Sequence, residues 1–351
     1  MFLLQDTLES IRTVLKPHHS DLVAYQQTNE GEAVTMAKMN DAFLDFNDAI
    51  KLSEGKLKEI RGSRNAVRAS TRKWMSDNGH GAVNFHMQGS IAMNTAVNPI
   101  EDDEYDIDDG IYLSKYEDAP ESEWPKPITA HQWVKDALAS KTTSEPEDKN
   151  ACVRVVYKHG YHIDVPIYVL KNGRAYLAHK RDGWVNSDAK DFQDWFSKEC
   201  KPNGGQLRRI VRYLKRWKDE NRAPLKGIEL TILAADNYER ADGRDDDALR
   251  YTVGNVIESL ETSFVCRKPV APWEDLFADA SDSKKEEILT ALRKLRKTLK
   301  KASEAASEKE AADKLRKELG EDFPEGDDSK RRSNNAVTAS PAVLRRDGRS
   351  G

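Results

Sequence analysis

The sequence predicts an α+β protein in which a mixed sheet with flanking helices is followed by a helical C-terminal lobe. Three observations predict this class. Apolar residues recur at helical spacing before residue 80, alternating and β-branched runs with loops fill residues 83–176, and helical periodicity returns from about residue 187. The length of 351 residues suits two lobes, and a hydrophobic fraction of 38% is enough to bury a core.

Two helices are predicted at the N-terminal end of the chain. The first spans about 36–52, because its apolar side chains follow one another in steps of three and four residues: Met36, Met39, Phe43, Phe46 and Ile50. The second spans about 54–75 and is charged on most faces. Gly79 and Gly81 then mark the change from helices to strands.

The middle of the chain predicts a sheet with one helix, at about 128–139, between its strands. Pro166 lies inside one of the predicted strands, which suits an edge or a strand start better than a central position, since proline has no amide hydrogen to donate. The predicted strands are Val83–Met87, Tyr105–Leu113, Val153–Tyr157 and 163–170.

The C-terminal part predicts a stack of helices. One apolar stripe is formed by Leu207, Ile210, Val211, Leu214 and Trp217, and helices follow at about 227–241, 245–263 and 283–319. The last of these carries dense mixed charge around one apolar face, which predicts a solvent-facing helix. The sequence thus predicts a sheet domain with N-terminal helices at 1–185, a helical lobe at 186–325 and a disordered tail at 326–351.

Composition excludes several classes of protein. Lys and Arg number 56 against 60 for Asp and Glu, a net charge of −4, which argues against a protein that binds long nucleic acid. No apolar run approaches the roughly 20 residues of a membrane helix, so no membrane association is expected. Asp6 and Glu9 interrupt the start, and the three cysteines form no CxxC pair. We therefore expect a cytoplasmic protein.

Asp106 and Asp108 form the first candidate site. They are two residues apart in a predicted strand, so both side chains point to one face. Paired carboxylates repel unless a cation lies between them, and oxygen ligands of this kind suit Mg²⁺. Asp164, the one acidic residue in an otherwise apolar run, is the candidate third ligand. Acidic pairs also cap helices, and a buried aspartate is often a hydrogen-bonded structural group, so both alternatives stay open.

Two further features suit a phosphate ligand. Gly89-Ser90 follows a predicted strand, and such a turn presents backbone N–H groups and a hydroxyl to an anion. Arg208, Arg212 and Lys215 are spaced at i, i+4 and i+7, on a helix face rotated away from the apolar stripe. A basic helix face binds phosphate in some proteins and is simply solvated in most.

These motifs together resemble the bacterial cGAS/DncV-like nucleotidyltransferases (CD-NTases), nearest to the cyclic GMP-AMP synthase-like dinucleotide cyclase branch. The resemblance covers about residues 80–240 and rests on five motifs in the order of the family. They are Gln88-Gly89-Ser90, the segment from Asp106 to Gly110, His162-Ile163-Asp164-Val165-Pro166, Trp184-Val185-Asn186-Ser187-Asp188, and Leu207-Arg208-Arg209 leading to Lys215.

The resemblance implies a polymerase-β-like nucleotidyltransferase palm joined to the helical lobe, with nucleotides and metal between them. Asp106 and Asp108 would hold two Mg²⁺ ions, or Mn²⁺, and Asp164 would join one ion and act as, or assist, the catalytic base. The residues implied to bind nucleotide are Gln88, Gly89, Ser90, Arg154, Ser187, Asp188 and Lys215.

Two positions depart from the family pattern. Met93 stands where the nearest relative has an aromatic residue that can stack on a base. Glu229 stands where a hydroxyl residue helps to hold phosphate, which would place an acid near a polyphosphate, and Thr231 is the candidate substitute. Both departures concern base choice and product identity rather than the metal chemistry.

The implied function is the joining of ATP, with GTP or another nucleoside triphosphate, into a cyclic di- or trinucleotide with release of pyrophosphate. In this family such messengers activate a separate effector in bacterial antiphage defence. The tail that ends at Gly351 is either simply disordered or a handle conjugated to other proteins by a ubiquitin-transfer-like enzyme. Two alternatives remain: transfer of a nucleotide to an RNA end, a protein or a small molecule, and a catalytically silent nucleotide-binding or scaffold protein.

Overall fold

The structure, a computed structural model, describes residues 38–100, 105–139, 144–157, 160–187 and 189–327. The predictions for the segment before residue 38, for Asp188 and for the tail that ends at Gly351 lie outside the described residues. The remaining predictions can be compared with the structure element by element.

Both N-terminal helices are present. Helix α1 (Asn40–Ile50) is followed by α2 (Glu54–Asp77), and the Ser53 hydroxyl accepts a hydrogen bond from the Lys56 amide at 3.2 Å, which caps α2. The two helices belong to different cores. Helix α1 packs among the C-terminal helices, whereas α2 packs on the sheet, so the expected grouping of both helices with the sheet does not describe α1.

Eight strands form one mixed sheet in the order β3, β4, β5, β2, β6, β7, β8, and β1 pairs with β2. The strands are β1 (Val83–Met87), β2 (Tyr105–Leu113), β3 (Glu147–Asp148), β4 (Val153–Tyr157), β5 (Tyr161–Val165), β6 (Ile167–Lys171), β7 (Arg174–His179) and β8 (Gly183–Asn186). The sheet therefore extends ten residues beyond the predicted strand region, to Asn186, and the chain is helical after it.

Strand β2 is the centre of the sheet. It pairs with β1 in antiparallel fashion and with β5 and β6 in parallel. Pro166 separates β5 from β6, so the predicted strand at 163–170 is two strands and the proline stands at a strand start as expected. Both strands are interior rather than at an edge, and the Pro166 carbonyl accepts a hydrogen bond from the Ile111 amide at 2.9 Å.

The other helices confirm most of the predicted positions. They are the single-turn α3 (Gly89–Ala92), α4 (Pro127–Leu138), α5 (Ala189–Cys200), α6 (Gln206–Asn221), α7 (Gly227–Asp236), α8 (Asp245–Thr262), α9 (Asp282–Ser303) and α10 (Glu308–Leu319). The single long helix expected at 283–319 was wrong. Helix α9 ends at Ser303, and the Ser307 hydroxyl caps the next helix by accepting a hydrogen bond from the Glu310 amide at 3.2 Å.

Most of these elements belong to one of two large hydrophobic cores. One joins the sheet to α2 and α4, and the other joins α1 to the C-terminal helices. The apolar face of α9 is buried in the second core, so this helix is not simply solvent-facing. None of the helices found in the described ranges combines the length and the apolar character that a bilayer crossing demands.

Candidate active site

The pairing of β2 with β5 assembles the candidate metal site. Asp106 lies opposite His162 and Asp108 opposite Asp164 in the parallel register. Residues two apart in a strand share a face, so all four side chains are directed to one side of the sheet. One potential ligand atom from each of Asp106, His162 and Asp164 lies within 4.8 Å of the other two. Register alone therefore unites residues that are more than 50 positions apart.

Two of these three carboxylates have basic side chains as hydrogen-bond partners. Arg154 on β4 donates to both oxygens of Asp164 at 2.7 and 2.9 Å, and His162 hydrogen-bonds Asp106 and lowers the pKa of that carboxyl. Asp108 differs. Burial, followed by the charges of Asp164 and Asp106, raises its pKa to about 6. The cluster thus carries more negative charge than its neighbours balance.

The residues fit a divalent cation. The raised pKa of Asp108 shows that its ionised form is penalised here, and an ion between the carboxylates would remove the penalty. Asp164 would share its carboxylate between Arg154 and the ion. His162 was not among the predicted site residues. Its signal in the sequence was its place two residues before Asp164, on the same strand face.

The turn after β1 needs glycine for two reasons. Gly89 has a φ of +68°, in the left-handed region, and a Cβ there would collide with the carboxylate of Asp108. Ser90 follows in the first turn of α3 and lines the same cavity. Gln88 also lines the cavity, but its amide is held by two tyrosines: it donates to the Tyr112 hydroxyl at 3.3 Å and accepts from that of Tyr168 at 3.1 Å.

A cavity of about 740 Å³ lies in front of these groups. Its volume is at the upper end of that typical of small-molecule sites. Side chains of the sheet, of the turn after β1 and of the C-terminal helices form its walls. The predicted site residues in its lining are Gln88, Gly89, Ser90, Asp106, Asp108, Ser187 and Lys215. Asp164 and Arg154 lie beside the cavity. Arg154 hydrogen-bonds Asp164 and is also 3.8 Å from the carboxylate of Asp106, which lines the cavity.

The basic face of α6 is used in two different ways. Lys215 is buried in the cavity wall, where its Nζ lies 3.0 Å from the Thr95 hydroxyl and burial lowers its pKa to about 7. Arg208 and Arg212 face other partners: they donate to the carbonyls of Met93 and Asn94 at 3.2 and 2.6 Å. Of the three basic residues on this face, Lys215 lines the cavity, whereas the two arginines hold backbone carbonyls.

Lys218 and Lys268 also line the cavity and were not among the predicted site residues. Lys218 could have been identified from the sequence. It follows Lys215 by three residues, so it lies on the same helix face, and it lines the cavity beside Asp219. It also contributes to the lowered pKa of Asp106. The spacing from Lys215 was the signal that could have identified it.

The structure shows where Met93 and Glu229, the two residues that depart from the family pattern, are located. Met93 is almost fully buried and lines the cavity. Glu229 is fully buried, and its carboxylate accepts from the Lys226 amide at 2.6 Å, which caps α7. It does not line the cavity, so the expected acid beside a polyphosphate was wrong. Thr231, two residues further along the helix, does line it.

Two family models match the chain. Residues 83–168 match the model described as cyclic GMP-AMP synthase DncV-like, nucleotidyltransferase domain. Residues 204–330 match the model described as cyclic GMP-AMP synthase, C-terminal domain. The first match contains the candidate metal residues and the second contains Lys215.

Several relatives are similar in sequence. A cyclic GMP-AMP synthase of Escherichia albertii is 30% identical over 54% of this chain and 44% of its own length. A cyclic GMP-AMP synthase of Vibrio cholerae is 24% identical over 67% of this chain and 66% of its own length. A c-di-GMP synthase of Roseivirga ehrenbergii is 27% identical over 46% of this chain and 42% of its own length. The chain thus spans less than half of the Escherichia albertii relative.

Solved structures show the same fold at low identity. The Vibrio cholerae DncV cyclic AMP-GMP synthase in complex with the linear intermediate 5′ pppA(3′,5′)pG superposes with a TM-score of 0.70 at 19% identity, covering 83% of this chain and 98% of that one. The 3′-deoxy GTP bound form of Escherichia coli DncV gives 0.69 at 21%, covering 82% and 97%. The likeness to these structures concerns the fold.

Proposed function

Because the chain belongs to the family of cyclic GMP-AMP synthase DncV-like nucleotidyltransferases, we propose that it joins nucleoside triphosphates into a cyclic dinucleotide and releases pyrophosphate. The observation that carries the proposal is the acidic cluster on β2 and β5 at the wall of a cavity large enough for nucleotides. The names of its relatives, cyclic GMP-AMP and c-di-GMP synthases, support a cyclic product.

Asp106, Asp108 and Asp164 would hold divalent cations, with Mg²⁺ as the proposed ion, two ions as the proposed number and Mn²⁺ as a substitute. Bound cations of this kind stabilise the negative charge that develops on a transferring phosphoryl group and lower the pKa of an attacking hydroxyl. His162 holds the carboxylate of Asp106 by its hydrogen bond, and Arg154 holds that of Asp164. These two residues orient the acidic cluster before any nucleotide enters.

The remaining residues of the site would bind the substrate. Ser90 and the backbone at Gly89 form a turn suited to phosphate oxygens, and Lys215 supplies a cation on the facing wall. Lys218 adds a second positive charge on the same helix face. Asp164 would assist removal of the proton from the attacking ribose hydroxyl. Ser187 lies in the lining where a base or ribose would contact it.

The cavity also supports ring closure. A linear dinucleotide must turn over before its second bond forms, and a cavity of about 740 Å³ between the sheet and the C-terminal helices gives room for this movement. We propose ATP, together with GTP or a second ATP, as the substrates. We further propose, from the family resemblance, that the product activates a separate effector in antiphage signalling and that Gly351 is a site of conjugation.

The test is incubation of the purified protein with Mg²⁺ and four nucleoside triphosphates, labelled one at a time at the α-phosphate. A phosphatase-resistant product is expected from the wild-type chain and not from Asp106→Asn/Asp108→Asn. Asp279→Asn, a change at an exposed carboxylate, is the matched control and should retain the product. A stable nucleotide adduct on an added RNA or protein, without a cyclic product, would overturn the proposal in favour of simple nucleotide transfer.

A further inference from the structure

One wall of the cavity begins at α5, the helix that follows the last strand of the sheet. Ala189, Phe192 and Gln193 are spaced at i, i+3 and i+4, so they lie on one face of the helix, and all three line the cavity. Ser187, at the end of β8, lines it next to them. Helix α5 also packs against α3, which places this face beside the turn after β1.

The apolar members of this wall are rigid. Phe192 is 8% exposed and its ring lies 5.2 Å from that of Trp195, while Met93 is 7% exposed, and both belong to the helical core as well as to the cavity lining. Flat aromatic ligands are bound by apolar side chains of this kind, with a few polar groups that set orientation. Phe192 and Met93 therefore form a surface suited to a nucleobase.

Gln193 is the polar group within this apolar setting. Its amide oxygen Oε1 is buried, and no donor among the described residues reaches it. A buried acceptor without a donor is costly, and Gln193 lines the cavity. A ligand that offers a donor at this point would satisfy the amide.

We propose that Gln193 is a specificity-determining residue that reads the adenine base of a bound nucleotide, an inference that rests on the proposed function. The amide would accept from the exocyclic amine of adenine through Oε1 and donate to the ring nitrogen N7 through Nε2. At the corresponding edge of guanine both groups are acceptors, so Oε1 would remain without a donor. Adenine is therefore the base that pairs with both ends of the amide.

The experiment compares ATP with purine riboside triphosphate, which lacks only the exocyclic amine, in the wild-type chain and in Gln193→Leu. Pyrophosphate release gives kcat and KM for each nucleotide, and Kd is measured in the Asp106→Asn background. The wild-type chain is expected to prefer ATP by about tenfold to hundredfold in KM and Kd. In Gln193→Leu this preference disappears, because kcat/KM falls further for ATP, which loses both hydrogen bonds, than for purine riboside triphosphate, which loses only the one from Nε2.

A ratio between two nucleotides separates base reading from damage to the fold, because a poorly folded variant loses both activities together. Gln132→Leu, at an exposed glutamine of α4, is the matched control and should keep the wild-type ratio. Gln193→Glu retains the acceptor and removes the donor, so the preference for ATP should remain while KM rises for both nucleotides. The same ATP preference in Gln193→Leu as in the wild-type chain would overturn the proposal.

The outcome also separates this inference from the proposed function. If the wild-type chain forms a cyclic product and Gln193→Leu keeps its ATP preference, only the base-reading role fails. If the wild-type chain binds none of the nucleotides, the proposed function and the base-reading role fail together.

Discussion

Individual residues in the cavity hold charges that a ligand would change. Lys215 is the clearest case, because burial is the largest cause of its lowered pKa, near 7, and the neighbouring charge of Lys218 adds to it. An anionic triphosphate beside this amine favours its protonated form. Nucleotide binding above pH 7 should therefore take up a proton.

We predict that nucleotide affinity falls as pH rises above 7.5. In that range the free protein holds a largely neutral Lys215 and the complex a charged one, so Kd should increase by up to about tenfold per pH unit until the pKa of the complex is reached. The measurement is calorimetric titration with ATP between pH 7.5 and 9, where the triphosphate itself is fully ionised. Lys215→Met should bind more weakly with a nearly constant Kd. Equal slopes for the two proteins would contradict the role given to Lys215.

At the scale of elements, α6 does more than present a lysine. Arg208 and Arg212 donate to backbone carbonyls of Met93 and Asn94, directly after the turn that carries Ser90. Arg212 also donates to the Asn47 side chain of α1 at 2.6 Å. These contacts fasten the turn, α1 and α6 to one another. The arginines thus hold in place the segment that carries Ser90, the residue proposed to bind phosphate.

We predict that Arg212→Met lowers the free energy of unfolding by about 1–3 kcal/mol, because it leaves the Asn94 carbonyl and the Asn47 amide oxygen without this donor. It should also raise KM for ATP, with less effect on kcat, since the turn is then less well positioned. Urea unfolding and steady-state kinetics measure the two effects. Lys198→Met, at an exposed position of α5, is the control and should change neither. An Arg212→Met variant with wild-type stability and KM would show that the contacts of Arg212 with Asn94 and Asn47 are dispensable.

At the scale of the whole molecule, the segment after α10 closes the helical core. Phe323 is fully buried, with its ring centroid 5.1 Å from that of Phe43 and 5.2 Å from that of Phe46 on α1. Arg216 of α6 pairs with Asp322 of the same segment and donates to the Asn98 carbonyl at 3.0 Å. Residues near both ends of the described chain therefore share one core.

We predict that Phe323→Ala lowers the free energy of unfolding by about 3–5 kcal/mol, the range for removal of a buried phenylalanine ring. Denaturation by urea, followed by tryptophan fluorescence, measures the change. Glu325→Ala, at an exposed position two residues further on, should stay within about 0.5 kcal/mol of wild type. A loss below about 1 kcal/mol in Phe323→Ala would indicate that the segment only rests on the core.

Local patterns in the sequence were sufficient for the types of most elements and for the shared face of two carboxylates. Alternation places Asp106 and Asp108 on one strand face whatever the strand pairs with, and Gly89 and Ser90 follow β1 after one intervening residue, Gln88. The break near Ser307 was missed, because charged and apolar residues keep a helical period across it while the serine cap competes locally.

Only the tertiary structure decided which side chains meet. The parallel register of β2 and β5 brings His162 to Asp106. Arg208 and Arg212 donate to backbone carbonyls more than 100 residues away in the sequence, whereas Lys215 and Lys218 line the cavity. Gln193 also could not be singled out from the sequence, because its role is inferred from its buried amide oxygen and its place in the cavity wall. The sequence by itself determined the strand face that carries the carboxylates, because side-chain direction follows from local backbone geometry. It did not determine the partners of each charge, because these depend on register and packing between distant segments.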